Sequence, residues 1–376
     1  MTADGRTVPG ALPGGASALA PICRYYGVCG GCAAQHMPAA VYAAWKRDSV
    51  AAALAAAGVT AEVAGLVDAH GAGRRRATFH ARVRTDGGVE VGFMRARAHA
   101  IVEIDACPLL APELKAAPKV ARALAEAVKT LSKPLDIQTT ATLGGLDVDI
   151  RGSGPLGAGE TRRLIGVAER FDLARLSNHG VALIERRAAL VAFGPVRVVL
   201  PAGGFLQATA AGEETLARLA AEALQGASRV ADLFCGAGAF ALRLAGEHSV
   251  FAADSDAAAI AALRRAATGG VEASQRDLVR QPLSAAELAR FDAVLFDPPR
   301  AGASAQAREI AASGVARVVA ISCNAETFAR DAGILAEGGY SCEGVTPIDQ
   351  FRYSAHVEIF AAFRRAKAKR RRSIFG

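Results

Sequence analysis

The chain has 376 residues, of which 52% are hydrophobic and 21% are charged, and this balance predicts a globular protein of two or three domains with a substantial core. No apolar run reaches the roughly 18 residues of a membrane helix, and the first 20 residues lack the basic start and apolar block of a signal peptide. We therefore expect a cytoplasmic protein without a membrane partner, in a reducing compartment where grouped cysteines bind metal more often than they form disulfides.

The net charge is +8, and the excess is local. Residues 364–376 contain seven basic and no acidic residues, so removing these seven charges leaves +1 for the rest of the chain. A tail of this kind attracts nucleic-acid phosphates or is a solvated, disordered segment, and the composition favours neither. A second basic cluster, Arg74-Arg75-Arg76, is more typical of a solvated surface than of an RNA path.

The first 58 residues divide into three segments. Residues 1–20 are rich in Gly, Pro and Ala and are predicted to be a flexible leader. Residues 21–37 hold three of the seven cysteines in a loop. Residues 38–58 have the apolar periodicity of a helix, which is predicted to end at Gly58.

The region from residue 78 to residue 200 mixes strand and helix patterns. Residues 78–104 alternate polar and apolar side chains around an Asp86-Gly-Gly turn, which predicts a β-hairpin. Residues 110–131 are predicted to form a helix, and residues 137–150 and 180–200 are predicted to form short strands. Many turn signals separate these segments, so we expect an α+β domain.

From residue 201 onward, short apolar strands alternate with helical stretches. The strands are predicted at 230–234, 250–254, 291–297 and 315–322. This alternation predicts an α/β domain with a doubly wound, mostly parallel sheet, whose ligands bind beyond the carboxyl ends of the strands.

A glycine-rich loop that contains Gly236 and Gly238 follows the first of these strands and is predicted to open a helix. Small residues let the backbone approach a ligand, and the N–H groups of a helix N-terminus face it. Asp254 ends the next strand, where an acid accepts hydrogen bonds from ribose hydroxyls. Taken alone, this pattern also fits a dinucleotide-binding fold.

Two acidic positions farther along favour a methyltransferase over a dinucleotide enzyme. The segment Asp297-Pro-Pro-Arg300 ends a later strand, at the usual place of the loop that faces a methyltransferase's target. Asp277 lies after the second predicted strand and is expected near the adenine of the cofactor.

Cys323 ends the last predicted strand and precedes Asn324 and a helix that starts near Glu326. The position points its thiol into the ligand crevice, and helix N-terminal N–H groups lower a thiol pKa and favour the thiolate. A single cysteine is more often a buried core residue. That alternative suits Cys235 and Cys342 better, because neither has such neighbours.

Four other cysteines are grouped: Cys23, Cys29 and Cys32 lie in one loop, and Cys107 precedes a proline in the α+β region. Four thiolates suit either structural zinc or an iron–sulfur cluster. Free thiols are improbable for four cysteines grouped in this way, and the spacing alone leaves zinc and iron–sulfur open.

In chain order, these motifs resemble those of the RNA uridine-C5 methyltransferases of the TrmA/RumA type. Each motif is modestly specific, but their number and order together are highly specific, and they extend over nearly the whole chain. The matching segments are Cys23 with Cys29-Gly-Gly-Cys32-Ala-Ala-Gln-His36, Val91-Gly-Phe93, Cys107-Pro108, Phe205-Leu-Gln207, Asp232-Leu-Phe-Cys-Gly-Ala-Gly238, Asp297-Pro-Pro-Arg300, Ser322-Cys-Asn324 and His356-Val-Glu358.

The resemblance implies that the α/β part is a class I, Rossmann-like domain dependent on S-adenosylmethionine, joined to an N-terminal and central α+β domain that carries a four-cysteine cluster site. The grouped cysteines, the Gly-Gly pair and the Cys-Pro pair imply the iron–sulfur branch, and the leader is too short for the N-terminal β-barrel known as TRAM that many relatives carry. The implied layout is a leader at 1–20, a cluster-binding domain at 21–37 and 70–200, a helical segment at 38–69 that packs on the catalytic domain, a methyltransferase domain at 201–365 and a basic tail at 366–376.

The resemblance also implies a mechanism. Uracil C5 is a poor nucleophile, and addition of a thiolate to C6 gives C5 the carbanion character needed to attack a methyl group. Cys323 is implied as that nucleophile and Glu358 as the general base that removes the C5 proton. Without the resemblance, Glu358 is more typical of an ordinary surface carboxylate on a strand.

The remaining site residues also come from the resemblance. A [4Fe–4S] cluster with a structural role, rather than zinc, is implied for the four grouped cysteines. Two departures from the family pattern are Ala239, where Asn is frequent, and Ala325, where a proline commonly follows Ser-Cys-Asn and whose absence is expected to loosen the loop. Cofactor contacts are implied for Gln207, Phe234, Gly236, Gly238, Asp254, Asp277 and Asp297, the last being equally suited to hold the target base.

The implied substrate is RNA, with 23S rRNA favoured, tRNA second and a monomeric enzyme expected. Two alternatives are an RNA cytosine-C5 methyltransferase and a catalytically silent RNA-binding protein with a cluster. The segment that contains His356 and Glu358 argues against the first, and the presence of both Cys323 and Glu358 argues against the second. A dinucleotide-dependent oxidoreductase is a fourth possibility, which failure to bind S-adenosylmethionine would favour.

Overall fold

The fold is described by a computed structural model, which covers residues 17–96, 98–128 and 134–365. Most of the predicted leader and all of the predicted basic tail lie outside these residues. No helix within them is long and apolar enough to cross a membrane.

The described residues form helices and strands that we number in chain order. The helices are α1 Ala39–Ala56, α2 Ala117–Ala127, α3 Ala158–Arg170, α4 Ala210–Leu224, α5 Ala241–Leu244, α6 Ala257–Ala266, α7 Ala285–Leu288, α8 Ser304–Ser313 and α9 Ala325–Glu337. The strands are β1 Val67–Asp68, β2 Arg76–Val83, β3 Val89–Met94, β4 Ile101–Glu103, β5 Leu135–Thr142, β6 Gly145–Arg151, β7 Arg175–Asn178, β8 Val181–Glu185, β9 Leu190–Phe193, β10 Val196–Val199, β11 Arg229–Leu233, β12 Ser249–Asp254, β13 Val271–Gln275, β14 Ala293–Phe296, β15 Arg317–Ser322, β16 Tyr340–Asp349 and β17 Glu358–Arg365.

The larger sheet has the strand order β1-β16-β17-β15-β14-β11-β12-β13 within the described residues. Its central strands are parallel and buried on both faces, as in β14, where every residue is buried. Burial on both faces explains why these strands consist of continuous apolar runs and were predictable. Apolar clusters involving α4 and α6 cover one face, and clusters involving α1, α8 and α9 cover the other.

The last strand reverses direction. β17 lies between β15 and β16 and is antiparallel to both. In its pairing with β15, Ile359 lies opposite Ser322. The first residue of β17, Glu358, is therefore brought to the carboxyl end of β15, where Cys323 follows. This relationship positions the site described below.

The smaller sheet has the order β4-β3-β2-β5-β6-β7-β8, with α2 and α3 packed on one face. The hairpin predicted over 78–104 is formed by β2 and β3. The helix predicted over 110–131 is shorter in the described residues, because a 3₁₀ turn at Pro112–Leu114 precedes α2 and Pro118 occupies its first turn, where proline is favoured. Helix α3 and strand β7 were not predicted.

Helix α1 packs against α9 and β16 of the larger sheet. Its buried Lys46 forms an ion pair with the buried Asp349 at the end of β16, and the Tyr42 hydroxyl donates a 2.7 Å hydrogen bond to the same carboxylate. The helix ends before Gly58, whose φ of +69° places it in the left-handed region that favours glycine, as the sequence predicts. Segment 39–56 therefore supports the loop that follows β16.

Candidate active site

One cavity of about 1370 Å³ lies at the carboxyl ends of the larger sheet's strands and extends to the smaller sheet. Twelve of the thirteen site residues expected from the sequence line it. They are Cys23, Cys29, Cys32, Cys107, Gln207, Phe234, Gly236, Asp254, Asp277, Asp297, Cys323 and Glu358. The exception is Gly238, which does not line the cavity and has no Cβ because one would overlap Leu263 of α6.

The glycine-rich loop closes back on the end of β12. Gly236 has a φ of +53°, and its N–H donates a 2.9 Å hydrogen bond to Asp254 Oδ2. The N–H of Asp256 donates a 2.8 Å hydrogen bond to Asp254 Oδ1. These two bonds fix the carboxylate at the cavity wall. Phe234, directly after β11, also has a positive φ of +62°, which is uncommon for an aromatic residue.

The helix predicted to open after this loop is only the single turn α5, so the sequence argument from a helix N-terminus does not hold here. The loop backbone itself approaches the cavity. Nearby, Asp277 Oδ1 accepts 3.1 Å hydrogen bonds from the N–H groups of Val279 and Arg280, which orders the turn after β13.

The loop that carries Cys323 is held by its neighbour. Asn324 caps α9, because its Oδ1 accepts hydrogen bonds from the N–H groups of Glu326 at 2.9 Å and Thr327 at 3.4 Å. Ala325 begins the helix and is buried. The expectation that its lack of a proline loosens the loop is therefore not supported by the local contacts, since the cap ties the loop to the helix.

The prediction of a lowered thiol pKa is wrong. Burial, followed by the nearby Glu358 and Asp297 carboxyls, raises the pKa of Cys323 to about 11, and Arg300 acts in the opposite direction. The helix N–H groups that would favour a thiolate are directed to Asn324 instead. The thiol is therefore mostly protonated at neutral pH until other charges enter the site.

Three buried side chains and the partly buried Asp297 form a hydrogen-bonded chain at the cavity. Gln350 Nε2 donates to Glu358 Oε2 at 2.6 Å and to Gln207 Oε1 at 2.7 Å. Gln207 Nε2 in turn donates to Asp297 Oδ2 at 2.9 Å. Gln207, Gln350 and Glu358 are all buried. The chain thus connects the two carboxyls that face Cys323.

Both carboxyls are poor acids in this environment. Burial, with Asp297 as a second cause, raises the pKa of Glu358 well above its usual range. Burial also raises the pKa of Asp297 to about 7, against a hydrogen bond from Gln207 that lowers it. Because two carboxyls close together do not both ionise easily, the pair retains a proton near neutral pH.

The four grouped cysteines line the other end of the cavity as free thiols. Burial raises the pKa of Cys32 to about 12, and charges on the other three thiols add to this effect, so the four side chains are near one another. Among the described residues, no three His, Cys, Asp or Glu side chains converge closely enough to hold a single metal ion. Four cysteine thiols are suitable ligands for a metal ion or cluster, but their arrangement does not identify which one they would bind.

Basic and aromatic side chains also line the cavity. The Arg76 guanidinium lies 5.3 Å from the ring centroid of Phe205, which is 63% exposed, and the Arg74 guanidinium lies 5.8 Å from that of Phe351. Burial lowers the pKa of both arginines. The interpretation of this cluster as a solvated surface is wrong, because two of its cations line the cavity.

The profile of a known family, tRNA (uracil-5-)-methyltransferase, matches residues 197–365. An uncharacterized RNA methyltransferase of Brucella suis is 46% identical over 92% of this chain and 85% of its own length. The chain belongs to the RNA uracil-C5 methyltransferase family. The implied family is thereby confirmed.

Two further relatives of this methyltransferase are informative. The 23S rRNA (uracil(1939)-C(5))-methyltransferase RlmD of Pseudomonas fluorescens is 36% identical over 91% of this chain and 79% of its own length. The tRNA (uracil-54, C5)-methyltransferase of Pyrococcus abyssi, solved with S-adenosyl-L-homocysteine, matches with a TM-score of 0.68 at 22% identity, over 89% of this chain and 85% of its own. The second match shows the fold, which is the predicted class I methyltransferase fold.

Sequence reasoning missed Gln350 in this methyltransferase. The residue directly follows β16, a strand that was not predicted because polar residues and a bulge between Cys342 and Gly344 interrupt its apolar pattern. The sequence offered one signal, the amide of Gln350 a few residues before the His356-to-Glu358 segment. Only the pairing of β16 with β17 shows that the Gln350 and Glu358 side chains meet.

Proposed function

We propose that this methyltransferase uses S-adenosylmethionine to methylate C5 of a specific uridine in RNA, with Cys323 as the nucleophile and Glu358 as the general base. The observation that carries the proposal is that β15 and the antiparallel β17 deliver a thiol and a buried carboxyl to one wall of a cavity. A surface carboxylate on a strand, the alternative for Glu358, is not buried in this way.

The chemistry requires the Cys323 thiol and the Glu358 carboxyl to act on the same uracil ring. The Cys323 thiolate forms a bond to C6, and the electron pair of the C5=C6 bond moves to C5 and the O4 enolate. C5 then forms a bond to the methyl carbon, while the bond from that carbon to the sulfonium sulfur breaks and S-adenosylhomocysteine leaves. Glu358 removes the C5 proton, and the electron pair of the C5–H bond restores C5=C6 as the C6–S bond breaks and releases the thiolate. The target base must leave its stack to reach the thiol, at a cost of a few kcal/mol.

The methyl donor fits the end of the cavity formed by β11 and β12. We propose that Asp254 accepts the ribose hydroxyls, that the backbone around Phe234 and Gly236 adjoins the donor, and that Asp277 lies on the adenine side. Gln207 and Asp297, which are hydrogen-bonded to each other, line the same cavity as Cys323. S-adenosylmethionine supplies an electrophilic methyl group on a positively charged sulfur, and a positive charge near Cys323 lowers its thiol pKa.

We propose that Cys23, Cys29, Cys32 and Cys107 hold a [4Fe–4S] cluster with a structural role. Support comes from the all-thiol donor set and from its location at one end of the cavity. The four thiolates would hold the cluster, which would tie the loop of residues 21–37 to the domain of the smaller sheet. Iron and sulfide analysis of anaerobically purified protein tests this, and one zinc per chain without iron would contradict it.

We propose 23S rRNA as the substrate and tRNA as the second candidate. The 36% identical relative from Pseudomonas fluorescens is named for 23S rRNA, whereas the family profile and the similar solved structure are named for tRNA. The cavity's exposed Phe205 and its neighbouring Arg76 suit a base and a phosphate of either RNA.

A trapping experiment tests the proposed mechanism. Fluorine at C5 does not leave as a proton, so RNA with 5-fluorouridine is expected to form a denaturation-resistant adduct with the wild-type protein and S-adenosylmethionine. Cys323→Ala is expected to form none. An adduct that persists in Cys323→Ala would contradict the nucleophile assignment, and 5-methylcytidine as the product would favour the cytosine alternative.

A further inference from the structure

The backbone position of Gln350 is fixed by contacts of the residues before and after it. Its backbone follows Asp349, whose carboxylate is bound by Lys46 and Tyr42 of α1. Lys46 Nζ also donates a 3.0 Å hydrogen bond to the carbonyl oxygen of Phe351, the next residue. The glutamine side chain is fully buried. Its orientation is therefore set before any ligand enters the cavity.

The amide of Gln350 directs both of its N–H groups to acceptors. One goes to Glu358 Oε2 at 2.6 Å and the other to Gln207 Oε1 at 2.7 Å. Its own oxygen has no hydrogen-bond partner among the described residues and packs against Gly212, where a Cβ would lie 2.8 Å from that oxygen. Rotating the amide by 180° would instead place its oxygen against two other acceptors.

This arrangement leaves one oxygen of Glu358 without a donor. The bond from Gln350 is the only hydrogen bond that the described residues make to the Glu358 side chain. It holds Oε2 and fixes the plane of the carboxyl, so that Oε1 is the atom left for an incoming proton. A buried carboxylate that loses its donor rotates or takes up a proton instead of serving as a base.

We propose that Gln350 is a positioning residue for the proton-removal step: it orients the Glu358 carboxyl toward the C5 proton of the target uracil and ties it to the Gln207–Asp297 pair. The inference rests on the proposed function, because it takes Glu358 as the general base. Gln350 touches neither the base nor the methyl donor in this assignment and acts through Glu358 alone.

The test uses Gln350→Met, which keeps the approximate volume and removes both N–H groups. Cys323 addition and methyl transfer precede proton removal, so both proceed in this variant. We expect kcat to fall roughly tenfold to a hundredfold, the cost of a hydrogen bond to a charged group, with little change in KM for RNA. The methylated RNA–protein adduct should accumulate on denaturing gels with a labelled methyl group, as it should for Glu358→Gln.

A second variant should disturb the hydrogen bond between Gln350 and Glu358 without changing Gln350 itself. In Gly212→Ala, the new Cβ of α4 would lie 2.8 Å from Gln350 Oε1 and 2.9 Å from its Cβ, which displaces the amide from Glu358. The adduct should accumulate here too. The matched control is Gln306→Met, which removes an equally buried amide that bonds only the backbone of Leu283 and lies outside the cavity. This control should lose stability but accumulate no adduct.

Turnover by Gln350→Met within twofold of wild type would overturn the inference. Loss of activity without a trapped adduct would overturn it as well, because it places the defect before methyl transfer or in folding. Failure of the proposed function is distinguishable: wild-type protein would then form no 5-methyluridine, or Glu358→Gln would trap no adduct. If both of these behave as proposed and Gln350→Met does not, only the role of Gln350 is wrong.

Discussion

Ile359 of β17 lies opposite Ser322 of β15 in an antiparallel pair. The neighbours of these two residues in the chain are Glu358 and Cys323, so the pairing brings the carboxyl beside the thiol, and the Asn324 cap holds the turn that carries the thiol. A thiol directly after one strand and a carboxyl on the neighbouring strand share one rigid frame.

Removal of the thiol should abolish turnover without affecting the donor site. We expect Cys323→Ala to reduce 5-methyluridine formation by roughly a thousandfold or more, since a covalent nucleophile has no substitute in the cavity. Calorimetric binding of S-adenosylmethionine should remain within a few-fold of wild type. Activity of the variant near the wild-type level would contradict the role of this cysteine.

The rate should rise with pH. Burial raises the pKa of Cys323 to about 11 and keeps the pKa of Glu358 well above its usual range, and both groups act in their deprotonated forms. We therefore expect kcat/KM to increase from about pH 6 to about pH 9, since it reports the free enzyme. A profile that is flat or falls over this range would show that neither group limits the reaction.

Burial of the Glu358 carboxyl should destabilise the folded protein at neutral pH. Because burial raises the folded pKa of Glu358 above its unfolded value, the protonated form is favoured by folding, and its contribution is lost as pH rises through the folded pKa. Glu358→Gln, which stays neutral, should raise Tm by a few degrees at neutral pH and much less near pH 4, below the usual carboxyl pKa. Equal Tm differences at both pH values would contradict this account.

The ion pair between Lys46 and Asp349 should anchor α1. Lys46→Met leaves a buried carboxylate without its partner and should lower the free energy of unfolding by about 3–5 kcal/mol. The double variant with Asp349→Asn should recover much of this loss in urea denaturation. Arg218→Met, which breaks an exposed pair with Glu222, is the control, with an expected loss below about 1 kcal/mol.

The exposed ring of Phe205 should contribute to RNA binding. Loss of a stacked base costs about 1–3 kcal/mol, so Phe205→Ala should weaken RNA binding by roughly tenfold to a hundredfold and leave S-adenosylmethionine binding unchanged. Leu143→Ala is a matched control, since both side chains are 63% exposed and Leu143 lies outside the cavity. Equal effects of the two variants on RNA affinity would contradict the stacking role.

The sequence predicted strands best where both faces of the strand are buried. Strands such as β11 and β14 are buried on both faces, so their apolar runs and the acids that follow them were predictable. Strand β16 has a mixed pattern and a bulge, and it was missed. Since Gln350 follows that strand, its contact with Glu358 depended on a pairing that no local pattern contains.

The pKa of the Cys323 thiol also could not be predicted from the local sequence. A cysteine before a helix predicts a lowered pKa from local sequence, but Asn324 takes the helix N–H groups and the two carboxyls near Cys323 come from distant segments. Likewise, Gly238 is in the motif but not on the cavity wall, because its small size serves packing against Leu263. Local motifs identified the residues, while tertiary contacts determined what surrounds each one.

The most direct measurement is nucleoside mass spectrometry of ribosomal and transfer RNA from cells with and without this gene. The account predicts loss of 5-methyluridine at one position of 23S rRNA, restored by the wild-type gene but not by Cys323→Ala. Loss from tRNA instead would retain the mechanism and change the substrate. An unchanged 5-methyluridine content in both RNAs would contradict the central claim.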